Sequence, residues 1–257
     1  MSGKYLIKDI SRRLLGDMRG VLFDENAIEG RESEILYTVF RNIEIVEGKA
    51  RYDITEIPAR PAGEPAGNIG GEFNKTFGHY HKNGLPEVYE ILEGHAYFLI
   101  QSPQNDPAEI KEAYIVEAEK NEKVVIPGNF GHLAINVGKE TLKLANWMGF
   151  ADYDYETYKK LHGGCYYVLD GGQTIEFEQN KNYKIVPELK KLKLKNSPAL
   201  DELGIRNDKS HPIIDLKKHP EKLDWLAHPE KYRELLTIVL NPLPQGEQAE
   251  IYLSTNY

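Results

Sequence analysis

One cysteine, Cys165, occurs in 257 residues, with three methionines and two tryptophans. A single thiol excludes an intramolecular disulfide framework. No run approaches the roughly 18 apolar residues of a membrane span. A basic excess is lacking too, since 32 Lys and Arg against 40 Asp and Glu leave a net charge of −8. That balance disfavours nucleic acid or a membrane surface as a partner, because neither is attracted by a negative surface. Lys4, Lys8, Asp9, Arg12 and Arg13 interrupt the first 20 residues where a signal peptide needs an apolar run. The expectation is a cytoplasmic protein. Any anionic ligand must be captured by a local cluster that overrules the overall field.

What is present, from about Glu34 to Ile185, is a series of short apolar bursts: EILYTVF (34–40), VYEIL (88–92), HAYFLIQ (95–101), KVVIP (123–127), LAINV (133–137), ETLKLANWM (140–148) and CYYVL (165–169). Turn formers separate them, as at Glu93-Gly94, Pro127-Gly128-Asn129 and Val137-Gly138-Lys139. Such spacing predicts an antiparallel all-β domain, a barrel or jelly roll, over residues 1–186. A short helix is expected at Arg12–Met18. Residues 187–257 are Lys- and Leu-rich and contain the echo HPEKLDWL (219–226) and HPEKYREL (228–235), with Pro at each helix start. A mostly helical extension, dispensable for chemistry, is the reading.

The segment GHYHKNGLPEVYE (78–90) carries the chemistry. Histidines two apart share a face on a strand and not on a helix, so His79 and His81 point together only if extended. The turn Lys82–Pro86 reverses the chain and brings Glu87 back toward both imidazoles. His132, in IPGNFGHLAINVG, is the best candidate for a fourth ligand. This N, N, O, N set suits Fe(II), Mn(II), Ni(II) or Zn(II) with positions left for substrate. His95, His162, His211, His219 and His228 read as ordinary surface or hydrogen-bonded residues. Lys75 and Lys82 are candidates for binding an anion, weighed against solvated strand edges.

TFGHYH (76–81), EVYEILEG (87–94) and PGNFGHLAINVG (127–138) together resemble the cupin double motif, and more narrowly the archaeal-type cupin glucose-6-phosphate isomerases. SRRLLGDMRGVLFDE (11–25), GNIGGEFNKTFGHYH (67–81) and DYETY (154–158) extend the resemblance over about residues 10–185. It implies a cupin jelly-roll barrel that is a homodimer, with His79, His81, Glu87 and His132 holding a divalent metal, Fe(II) foremost. Glu87 and Tyr89 would be catalytic. Thr76, Gly78, Tyr89, Tyr153 and Tyr155 would contact a sugar phosphate. The implied activity is aldose–ketose isomerisation of glucose 6-phosphate and fructose 6-phosphate, a step of glycolysis and gluconeogenesis. Three positions depart from the pattern. Tyr153 stands where a histidine is frequent, and Trp147 where a tyrosine is. An upstream threonine falls on Ala62 by direct counting, or on Thr55 if the chain carries an insertion near PARPAGEPA. The rival readings are a cupin Fe(II) dioxygenase and a non-catalytic sugar-phosphate-binding cupin.

Overall fold

The computed structural model describes residues 9–59 and 69–239. Its strands are, in chain order, β1 (Asp9–Leu14), β2 (Ile35–Val46), β3 (Ala50–Ile57), β4 (Tyr80–His81), β5 (Glu87–Glu93), β6 (His95–Pro103) and β7 (Ile110–Glu119). They continue with β8 (Lys123–Ile126), β9 (Gly131–Asn136), β10 (Leu142–Met148), β11 (Tyr153–Asp154), β12 (Tyr166–Asp170), β13 (Ile175–Gln179) and β14 (Leu189–Lys193). A six-stranded sheet runs β1-β2-β3-β10-β5-β8, and a four-stranded sheet runs β14-β7-β6-β9. The fold is the expected all-β cupin jelly roll. Among the described residues, however, the sheets do not close into a barrel.

Every apolar burst lies within or across a strand. The bursts omit β3, ARYDITEI, where charges alternate with Tyr52, Ile54 and Ile57, and β7, where Lys111, Glu112 and Glu117 break the run. The short helix expected at Arg12–Met18 is a correction. Arg12 and Arg13 belong to β1, paired with Thr38 and Tyr37, and only Leu15–Met18 coils, as a 3-10 turn. The edge of β2 offers backbone partners that a helix over Arg12–Met18 would forgo, and Asp17 then accepts the Leu14 N–H at 2.9 Å.

Beyond Pro187 the chain first adds β14, parallel to β7. It then forms short helices, α1 (Glu156–Lys160) having preceded them: α2 (Pro198–Glu202), α3 (Asp224–Ala227) and α4 (Arg233–Val239). Both copies of the HPEK echo build one unit, a Pro-led 3-10 turn running into a helix, at Pro220–Leu223 with α3 and at Pro229–Tyr232 with α4.

Two cores result. One contains Phe98 and Leu144, and on the other face of the four-stranded sheet Leu99, Ile115 and Leu133. The other lies on the outer face of the six-stranded sheet, where Tyr52, Val88, Val125 and Trp147 meet Leu200, Ile213, Leu223, Trp225 and Leu226. This second core explains why β5 is buried on both faces.

Candidate metal centre and substrate cleft

Cross-strand register assembles the site in rows. Arg51 of β3, Met148 of β10 and Glu87 of β5 stand abreast, and Asp53, Asn146 and Tyr89 form the next row. Period-2 alternation turns these six side chains to the inner face and sends Trp147 to the other. His79 and His132 face each other as an isolated bridge, exchanging two backbone hydrogen bonds of 3.1 Å. β4 follows at once and carries His81, paired with Tyr153 of β11.

His79, His81 and Glu87 present ligand atoms within 4.8 Å of one another. The two Nε2 atoms are 3.3 Å apart. Glu87 Oε2 lies 3.2 Å from His132 Nε2 and 3.5 Å from His81 Nε2. His132 therefore reaches the cluster through Glu87, its ring centre 4.6 Å from that of His79. Glu87 Oε1 accepts a 2.6 Å hydrogen bond from Asn146 Nδ2, whereas the buried Oε2 has no hydrogen-bond partner. His81 Nδ1 is held by the Leu85 carbonyl at 2.7 Å, which leaves Nε2 aimed inward.

Electrostatics keep the donors in their ligating forms. Burial, helped by the neighbouring His132 and His81, depresses the His79 pKa well below the ordinary imidazole value, and burial lowers that of His81 despite Glu87. Burial alone would raise the Glu87 carboxyl, but His132 and His81 hold it below the usual carboxylate range. Two neutral imidazoles and a carboxylate with an unpartnered oxygen are a donor set that fits a divalent cation. Tyr89, within 3.1 Å of His132 Nε2, is raised well above the ordinary phenol value by burial and by Glu87.

The cleft above this cluster is lined by Thr76, Gly78, His79, Glu87, Tyr89, Tyr153 and Tyr155, all singled out in the sequence. Gly78 is required as glycine. Its φ is +85°, and a Cβ there would lie 2.5 Å from the ring of Tyr158. Thr76 Oγ1 accepts the Ala134 N–H at 3.0 Å and so is fixed beside it. Thr55 also lines the cleft, whereas Ala62 lies outside the described residues.

The lysines expected to bind an anion are elsewhere. Lys75 is 4% exposed, ion-paired with Glu72 and bonded to the Val21 carbonyl at 2.9 Å. Lys82 is exposed in the turn after His81 and does not line the cleft. The cations of the cleft are Arg13 and Arg41, with Arg51 behind them. Arg13 bonds Tyr37 Oη at 3.2 Å, packs against Phe77 and Tyr155, and has no ion pair among the described residues. Arg13 was legible as part of a charged N-terminal stretch and of the segment SRRLLGDMRGVLFDE but not as a cleft residue, and Arg41 depends on a bulge in β2 around Asn42. Asn146 is not singled out by the alternation of LKLANWM, which puts it opposite Trp147 without saying which face is inner.

The other histidines sit beside surface carboxylates: His95 with Glu117, His162 with Glu25, His211 with Asp208, His219 with Glu221 and His228 with Glu230. Trp147 departs from the cleft altogether. Its Nε1 donates to the Ile213 carbonyl at 2.7 Å, which anchors the extension.

The sequence model of the glucose-6-phosphate isomerase family matches residues 12–186. The glucose-6-phosphate isomerase of Thermococcus litoralis is 34% identical over 170 residues, 64% of this chain and 83% of that protein. Those of Thermococcus gammatolerans and Pyrococcus abyssi are 31% and 32% identical, covering 67% and 70% of this chain and 87% and 86% of theirs. Among solved structures the chain is similar to the Schizosaccharomyces pombe Cnp3 cupin domain, at 14% identity over 50% of this chain and 72% of that one, with a TM-score of 0.31. That likeness is too distant to inform activity. With the family match running over residues 12–186 and so over both histidine-bearing motifs, the chain belongs to the glucose-6-phosphate isomerase family.

Proposed function

We propose that the cleft interconverts glucose 6-phosphate and fructose 6-phosphate at a divalent metal held by His79, His81, Glu87 and His132, with Fe(II) the first choice and Mn(II), Ni(II) and Zn(II) the others. The observation that carries this is the buried Glu87 Oε2, without a hydrogen-bond partner among imidazoles, in a cleft also lined by Arg13, which has no ion pair among the described residues. A divalent ion bound there supplies Lewis-acid polarisation of the sugar carbonyl. The remaining work belongs to the chain. Arg13, the Thr76 hydroxyl and the backbone at Gly78 receive the phosphate, which overrules the net negative field locally. Glu87 takes the proton from C2 of the open-chain aldose and delivers it to C1, while the O2 hydroxyl proton passes to O1. Tyr89 and Tyr155 wall the sugar. The outer edge of β1 is unpaired among the described residues and exposes Ile10, which supports a homodimer formed through this edge. No helix among the described residues is long and apolar enough to cross a membrane.

A coupled assay with and without chelator tests the reading. Purified protein should turn over fructose 6-phosphate, lose that activity to the chelator and regain it with Fe(II) or Mn(II), in air and without oxygen alike. Oxygen consumption without isomerisation would establish the dioxygenase instead, and binding without turnover the non-catalytic sugar-phosphate-binding cupin.

Arg13→Met should raise KM about 10- to 100-fold with little change in kcat, because a charge-assisted hydrogen bond contributes about 1.5–3 kcal/mol. An unchanged KM in steady-state kinetics would move the phosphate site elsewhere.

A further inference from the structure

Two guanidiniums share one carboxylate beside the imidazole cluster. Arg41 Nη1 and Arg51 Nε lie 3.4 and 3.2 Å from the same atom, Asp53 Oδ2. The second oxygen of Asp53 accepts the Asn42 N–H at 2.8 Å, and the residue is 1% exposed. No other carboxylate lies within ion-pairing distance of either guanidinium among the described residues. Two positive charges thus answer one negative charge in the wall of the cleft.

Both guanidiniums also donate to one phenol. Arg51 Nη2 makes a short hydrogen bond to Tyr153 Oη, and Arg41 Nη1 is 3.4 Å from it. Each guanidinium carbon lies 5.7 Å from the phenol ring centre. With its lone pairs engaged, the hydroxyl has only its proton to offer. That proton is directed at Met148 Sδ, 3.0 Å away. A thioether is a weak acceptor, so an approaching sugar oxygen would displace it readily. The ring stands edge-on 4.4 Å from the ring of His79, and the Tyr153 backbone is paired with His81. The phenol is therefore built into the imidazole cluster on its open side.

We propose that Tyr153 is a catalytic residue whose hydroxyl donates to the sugar oxygen on which negative charge builds between aldose and ketose, and that Arg41, Arg51 and Asp53 are positioning residues that fix and polarise it. This rests on the isomerase reading. A donor already oriented by two cations needs no reorganisation as charge develops, and it binds an enediolate oxygen more strongly than a carbonyl oxygen. The arrangement also gives a reason for tyrosine at a position where the resemblance led one to expect histidine. An imidazolium beside two guanidiniums would be repelled, whereas a neutral phenol accepts from both and still donates.

The test uses full-length, metal-loaded protein. Tyr153→Phe should lower kcat about 10²- to 10³-fold, the usual loss for one oxyanion donor. Its KM for fructose 6-phosphate should stay within about threefold of wild type, as expected when only a transition-state interaction is removed. Sorbitol 6-phosphate, which carries no charge at C1 or C2, should inhibit both proteins equally. A five-carbon phosphosugar hydroxamate, an anionic mimic of the enediolate, should bind the variant about 100-fold more weakly, in step with kcat. Arg51→Met should show a smaller loss of the same kind, partly restored in Arg51→Lys. Unchanged kcat, or equal weakening of both inhibitors with loss of metal, would reduce Tyr153 to a structural residue and overturn the proposal. A wild-type protein that binds sorbitol 6-phosphate without turnover overturns the isomerase reading and this one together. An active wild type beside an unimpaired Tyr153→Phe overturns this one alone.

Discussion

Glu87→Gln, saturated with metal, should turn over fructose 6-phosphate about 10²- to 10⁴-fold more slowly than wild type, the usual contribution of a positioned base. The substitution keeps the volume and an oxygen that can face Asn146, which now donates to Oε1 at 2.6 Å. It removes the charge and the basicity of the oxygen that faces His132 and His81 at 3.2 and 3.5 Å. Those neighbours hold the native carboxyl below its ordinary range. The ionised form therefore stabilises the fold above the unfolded-state pKa, and this contribution disappears as pH falls through the depressed one. Metal affinity should fall as well, so both proteins must be compared at saturation. Solvent deuterium at C2 of glucose 6-phosphate provides the deciding measurement. Incorporation during wild-type turnover supports a proton carried by Glu87. Incorporation near zero after prolonged equilibration would mean a direct hydride shift, with the glutamine variant slowed only as far as metal loss explains.

Truncation after Val186 should leave a chain that is insoluble or strongly destabilised. It would uncover Trp147, Val88, Val125 and Ala145, each fully buried, and Tyr52 at 2% exposure. At about 1.5–3 kcal/mol for each large apolar side chain, the lost burial is on the order of 10 kcal/mol, comparable with the roughly 5–15 kcal/mol that holds a domain together. Polar groups would be stranded too. Glu90 Oε2 accepts the Ile213 N–H at 2.8 Å, and Lys123, fully buried, pairs with Glu90 at 3.3 Å while donating to the Asp208 carbonyl. The extension contributes none of the cleft lining, so its chemical dispensability and its structural necessity are compatible. A melting curve tests the second and metal content the first. A truncated protein melting within a few degrees of full length would show that the outer core adds little.

The histidine pair, the returning glutamate and the strand at His132 were legible because period-2 alternation and a Gly-Pro turn are local rules. Trp147 shows where such rules stop. The alternation of LKLANWM gives two faces without saying which is inner, and the buried Asn146 and Trp147 lie on opposite ones. Lys75 shows the same limit for charge. Its partner Glu72 is only three residues away, a spacing that a strand would send to the opposite face, and the pair closes over the Val21 carbonyl.

The sequence by itself determined the all-β class, the ligand candidates and the family resemblance, since each depends on residue type and short spacing. Only the tertiary structure decided which cations face the cleft. Arg13 enters from an edge strand, Arg41 from a bulge, and Arg51 and Asp53 from a hairpin about 25 residues or more before the histidines, through register that no local pattern encodes. It also decided what covers the back of the catalytic sheet. Burial of Trp147 beneath Ile213 joins segments 66 residues apart, and a contact of that separation exists only once the strands between them have packed.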